Sequence, residues 1–214
     1  MFSPDRQLSA VKNLFEGEQM RKLAGLSTCL SFFCAACVSI AELPESVQIQ
    51  APMPKDIRSA VIHPVPMKPG TMKNVDSRSD TPQVFAGQVK DALALRRPSW
   101  RIKVIGEGEP GAVGDEEIAV RIEFLEIDGG SAGLRFWIGF SAGATESLVR
   151  VSIIDRTGKD LASTKISERT MCPLGACVES NEASIRRNLQ DLAVEVAEFI
   201  TDPAGYQKKK ASES

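Results

Sequence analysis

Apolar residues recur with two different periods along the chain, and the changes of period mark its elements. Ile185, Leu189, Leu192, Val196 and Phe199 stand four, three, four and three apart, so they share one face of a helix with 3.6 residues per turn. The stripe predicts a helix over residues 184–201, which Pro203 and Gly205 stop. Phe85, Val89 and Leu93 repeat at every fourth position behind Thr81-Pro82, a cap residue followed by a proline suited to the first helical turn. A second amphipathic helix is expected there, ending near Arg96. Elsewhere the period is two. Ile118, Val120, Ile122 and Phe124 alternate with polar residues, as do Leu134, Phe136, Ile138 and Phe140, and then Val149, Val151 and Ile153. Residues 101–105 make a short strand, Asp155-Arg156-Thr157-Gly158 a turn, and residues 161–167 the return strand of a hairpin.

The start of the folded part is weaker. Ala60-Val61-Ile62, followed by Pro64 and Pro66, reads as a first strand near a sheet edge, and residues 67–80 read as polar loop. Residues 42–56, with Pro44, Pro52 and Pro54, read as an extended linker. Residues 204–214, with Lys208, Lys209 and Lys210, read as a basic flexible tail. Sequential strands flanked by two helices predict one α+β domain over residues 57–203, a mixed or mostly antiparallel sheet with both helices packed on one face. A domain of that length buries roughly two thirds of its unfolded surface and needs no cofactor to hold it together.

Composition narrows the function classes. The 214 residues carry 26 basic and 28 acidic side chains, a net charge of -2, and 43% are hydrophobic. Wholesale disorder is excluded, and so is a general electrostatic affinity for nucleic acid. A single His and five Cys limit catalytic and metal chemistry further.

The leader is the most informative stretch. Met20-Arg21-Lys22 precedes nineteen uncharged residues, 23–41, reading LAGLSTCLSFFCAACVSIA. A positive stub, an apolar run and small residues form the layout of a secretory signal, here residues 20–41, with residues 1–19 as an upstream extension. Cys34-Ala35-Ala36-Cys37 resembles a lipobox with Cys37 as the lipidated residue. Ser39-Ile40-Ala41 offers a rival cleavage that leaves a soluble protein, and an uncleaved anchor also remains open, since nineteen residues can just cross the ~30 Å hydrocarbon core. In each case Arg21 and Lys22 lie before the segment while Glu42 and Glu45 follow it, which places the remainder outside the cytoplasm.

Other segments have candidate chemistry. Gly106-Glu107-Gly108-Glu109-Pro110-Gly111 has the spacing of a dinucleotide loop, but a strand follows it rather than a helix and two glutamates would repel phosphate. It reads as a surface turn. Gly139-Phe140-Ser141-Ala142-Gly143 has the spacing of a hydrolase elbow, yet again no helix pattern follows, and His63 precedes Ser141 in the chain, the reverse of that fold's order. His63 reads as a strand-end side chain. Cys172-Pro173-Leu174-Gly175-Ala176-Cys177 reads as a disulfide-closed turn between Cys172 and Cys177, worth about 2 kcal/mol in an oxidising envelope; a redox pair or a metal site are the alternatives. Trp137 alternates away from Phe136 and, with Arg135, forms a candidate contact patch.

Leu134-Arg135-Phe136-Trp137-Ile138-Gly139-Phe140-Ser141-Ala142-Gly143, followed by the apolar strand to Ile154 and Asp155-Arg156-Thr157-Gly158-Lys159, resembles the bacterial domain of unknown function 4410 family. Its core is an R-(aromatic)-x-I-G-F-x-A-G strand, a D-x-x-T-G-K-like hairpin and a C-terminal helix. The likeness spans residues 57–200 and is sharp over 134–159. Where the family tends to be Gly-rich after the hairpin, this chain has the Cys172 to Cys177 loop, so no role carries over to it. The resemblance implies an envelope protein with a lipoprotein-type signal and no catalytic residues. The expectation is therefore a non-enzymatic lipoprotein without cofactor, joined to the membrane by lipid on Cys37 and either binding another envelope protein or helping an assembly. Val38 behind the Cys favours the outer membrane. The rival is a soluble periplasmic hydrolase using Ser141.

Overall fold

The computed structural model describes residues 47–75, 80–106, 116–131, 144–170 and 180–213. Contacts divide the chain into two units, Met1–Leu43 and Pro44–Ser214, and every described residue belongs to the second. Its elements are β1 (Gln48–Ile49), β2 (Ser59–Pro64), β3 (Met72–Lys73), α1 (Thr81–Arg96), β4 (Arg101–Val104), β5 (Glu117–Asp128), β6 (Thr145–Ile154), β7 (Asp160–Thr170), α2 (Asn181–Thr201) and α3 (Pro203–Glu213). One seven-stranded mixed sheet runs in the order β1-β7-β6-β5-β2-β4, with β3 also paired to β5. The α+β class and the mixed sheet expected from the pattern are what the chain forms.

Alternation explains the layering. Val120, Ile122 and Phe124 on β5 stand opposite Ile153, Val151 and Val149 on β6, Ile118 stands beside Ala60 of β2, and Ile166 continues the row on β7. All are buried on the face that receives α1 and α2. Phe85 of α1 meets Phe124 edge to face at 5.0 Å, and burying a ring of that size contributes roughly 1.5–3 kcal/mol. The opposite face carries charge. There Glu123 takes Lys68 at 2.7 Å and Arg150 at 3.0 Å; the hydrogen bond from Lys68, more than any other influence, holds the Glu123 carboxyl below its ordinary range.

A bulge between Phe124 and Glu126 shifts the β5 register. Without it the fifth inward position would fall on Glu126; with it, Ile127 turns inward and is fully buried. Glu126 is left to pair with Lys73 of β3. Gly129 then lies so close to β3 that a Cβ there would sit 2.6 Å from the Asn74 carbonyl oxygen, and Asn74 takes the left-handed φ of 55°. These two residues bring β3 against the end of β5.

The 57–65 strand stands one in from the sheet edge: β2 pairs in parallel with both the edge strand β4 and β5. Ala60, Val61 and Ile62 are buried on both faces, the signature of an interior parallel strand, and Pro64 is tolerated because it is the last residue. Residues 42–56 do not remain linker throughout, because Gln48 and Ile49 pair with β7 and Val47 is buried. Residues 204–214 are not a loose tail: α3 is anchored by Tyr206, which packs on Phe199 at 5.6 Å. The two short pairings made by β1 and β3 carry too few residues for a period to register.

Candidate functional site

Every residue singled out for function lies outside the described residues: Cys37, Arg135, Trp137, Ser141, Cys172 and Cys177. His63 is described. It is the penultimate residue of β2, opposite Arg121, and its Nε2 is buried without a hydrogen-bond partner. Burial, with the Arg121 charge adding to it, lowers its pKa and so favours the neutral ring. Among the described residues no group of three metal-ligating side chains exists, and no helix is long and apolar enough to cross a membrane.

The described surface does contain a cleft that the sequence did not disclose. Its volume is about 160 Å³, and Met72, Val75, Val84, Gln88, Ile185 and Leu189 form much of its wall. The helices run side by side in the same direction, because their first halves meet at the cleft while Arg96 reaches Glu198 and Arg97 reaches the Thr201 carbonyl at their far ends. The floor depends on the β5 bulge and Gly129, which hold β3 in place. At α2, Ser180 caps the helix, accepting from the Ala183 amide at 3.3 Å. At α1, Asp80 occupies the cap position without a side-chain bond. Asp80, Glu182 and Arg186 stand around the same opening.

Behind the cleft, where α2 meets the sheet, lies a polar seam. Thr145 donates to Ser184 at 3.0 Å, and Asn188 donates to the Glu168 carbonyl at 2.8 Å. Ser147, opposite Glu168 in register, is fully buried, yet its hydroxyl has no partner; nor do Asn188 Oδ1 and, in the cleft wall, Gln88 Oε1. Buried polar groups are normally paired. Three unanswered ones in this half of the domain make it polar in chemistry and incomplete in bonding. A helical Gln among solvent-facing residues gave no sequence signal of this.

Such a scaffold, one sheet under a pair of parallel helices with an open cleft between them, defines an α+β domain with a small concave site. The chain belongs to the Domain of unknown function 4410 family, whose pattern matches residues 64–172. No curated protein matches it. Among solved structures, a PelC dodecamer from Paraburkholderia phytofirmans is similar over 70% of this chain and 97% of that one, at 9% identity and a TM-score of 0.41. A variant of that dodecamer gives 72% and 99%, 8% identity and 0.40. A Caulobacter crescentus protein described as a lipoprotein candidate gives 66% and 87%, 17% identity and 0.31.

Proposed function

We propose that this protein is exported, carried at the cell envelope by lipid on Cys37, and acts there as a non-catalytic binding module for another envelope protein. The observation that carries the reading is the uncharged run of residues 23–41 behind Arg21 and Lys22, with Cys34-Ala35-Ala36-Cys37 inside it. Residues 20–36 then act as the cleaved signal, Cys37 becomes the first residue of the mature chain, and Val38 behind it favours the outer membrane. The cleft supports the binding half of the reading, since it offers a concave, mostly apolar wall formed by Met72, Val75, Val84, Ile185 and Leu189. Cys172 and Cys177 close a disulfide in this compartment, and Arg135 with Trp137 adds a second contact surface. Nucleic acid is no partner, given the net charge of -2.

Labelling cells with radioactive palmitate tests the anchor. The parent chain takes up label and Cys37→Ser does not, while globomycin leaves the unprocessed precursor. Unlabelled parent protein, or label that survives Cys37→Ser, overturns the lipid anchor.

A further inference from the structure

We propose that β1 and α3, the first and last described elements, form a single latch: β1 stays on β7 only while α3 is docked on α2, and the two leave together ahead of the rest of the fold. β1 holds weakly by itself. It consists of Gln48 and Ile49, both exposed, and beyond them the Gln50 and Ala51 amides share one acceptor, the Leu161 carbonyl, at 2.8 and 3.1 Å. So short a pairing buries little apolar surface and opens readily. Gln207 of α3 adds to it, because its side-chain amide donates to the Val47 carbonyl where Val47 joins the core.

α3 in turn is a small, separately started element. Asp202 begins it, accepting from the Gly205 amide at 2.9 Å ahead of Pro203. Of its 11 residues Pro203 and Tyr206 are the buried ones. Its docking on α2 therefore rests on the Tyr206 ring against Phe199 and on Tyr206, Lys209 and Lys210 reaching Glu195 and Glu198. An element with so few buried apolar side chains opens more easily than a central strand. When α3 leaves, the Gln207 bond goes with it, and β1 keeps only its own short pairing. Residues 47–52 are then free up to Met53, the next side chain packed on the core, and lengthen the polypeptide before it by up to about 20 Å. With the lipid on Cys37 proposed above, on which this consequence rests, the latch sets how far the domain can stand from the bilayer. The latch itself does not depend on the lipid.

The test is hydrogen exchange, read by mass spectrometry on full-length protein held in phosphatidylcholine nanodiscs, at residues 48–51, at residues 204–213 and, as the control, in β6. In the parent the first two sets are expected to exchange with one opening constant and one dependence on urea, while β6 is protected about tenfold more or better. Asp202→Ala acts through the cap of α3 and should speed both sets by the same factor of about five, leaving β6 unchanged. Tyr206→Phe, which keeps the ring and deletes the donor to Glu195, should likewise move both sets together. In Gln207→Ala the match is lost, and residues 48–51 exchange faster than α3. The proposal is overturned by faster exchange at residues 48–51 than in α3 of the parent, by an Asp202→Ala effect confined to α3, or by both sets opening only when β6 does. Absence of palmitate on Cys37 removes the anchor and the reach argued from it; unmatched exchange in palmitate-labelled protein removes the latch alone.

Discussion

The two ends of the helix pair treat their polar groups differently. At the far end nearly every one is answered. Glu198 takes Arg96 and Lys209, Arg97 closes on the Thr201 carbonyl, and Tyr206 donates to Glu195 at 2.7 Å. Burial, with the Glu195 carboxylate adding to it, pushes the Tyr206 hydroxyl well above its ordinary pKa, so it stays a donor at every physiological pH. At the near end, by the cleft, Gln88 Oε1, Ser147 Oγ and Asn188 Oδ1 have no partner. One pair of helices thus carries a closed half that secures the fold and an open half that leaves bonding capacity over. Such capacity is costly to keep unless something uses it.

The comparison breaks first at its aromatic anchor. Phe199→Ala should remove about 3–5 kcal/mol of stability, measured as a lowered midpoint of urea unfolding; a loss no larger than that of a surface substitution would mean that the far end does not secure the fold. Asn188→Ala should remove about 1–3 kcal/mol, because the Glu168 carbonyl loses its donor. A neutral result would make the seam as loose as the cleft. Ser147→Ala should lie within about 1 kcal/mol of the parent, on the stabilising side, since an unpartnered hydroxyl is deleted. A large loss would show that the hydroxyl is bonded after all.

The smallest effect is a pH dependence at Glu168. Burial first, then the Glu195 and Asp191 carboxylates, raise its pKa above the ordinary 4.5, with Lys210 opposing them. The fold therefore prefers the protonated form. Its penalty is absent below the ordinary glutamate range and fully present once pH exceeds the raised value. Glu168→Gln should thus stabilise the protein at neutral pH, with the gain fading as pH falls toward 4, read from urea midpoints across that range. A gain that is unchanged in acid would dispose of the charge explanation.

Legibility followed the number of repeating positions. The stripe from Ile185 to Phe199 gave α2 to within a few residues, and Phe85, Val89 and Leu93 gave α1 with its observed end at Arg96. The hairpin was legible too, because Asp155 and Gly158 are turn residues: Asp155 Oδ1 accepts from the Thr157 amide, the Thr157 hydroxyl and the Lys159 amide, and Gly158 takes a φ of 82°. The family resemblance read from residues 134–159 agrees with the family match. What stayed hidden was set by tertiary contact. The β5 bulge lets the strand run to Asp128 where alternation stops at Phe124, α3 depends on one Tyr among lysines, and the cleft is built from side chains far apart in the chain.

Near the sheet edge, Gln207 of α3 donates through its side chain to the Val47 carbonyl at 3.2 Å, so the first described residue is clasped by the last helix. Tension arriving along the preceding polypeptide is shared with that clasp instead of falling on the two residues of β1 alone. From there it passes through Tyr206 into Glu195 of α2. A pull at Val47 is thereby carried into the half of the molecule best built to bear it.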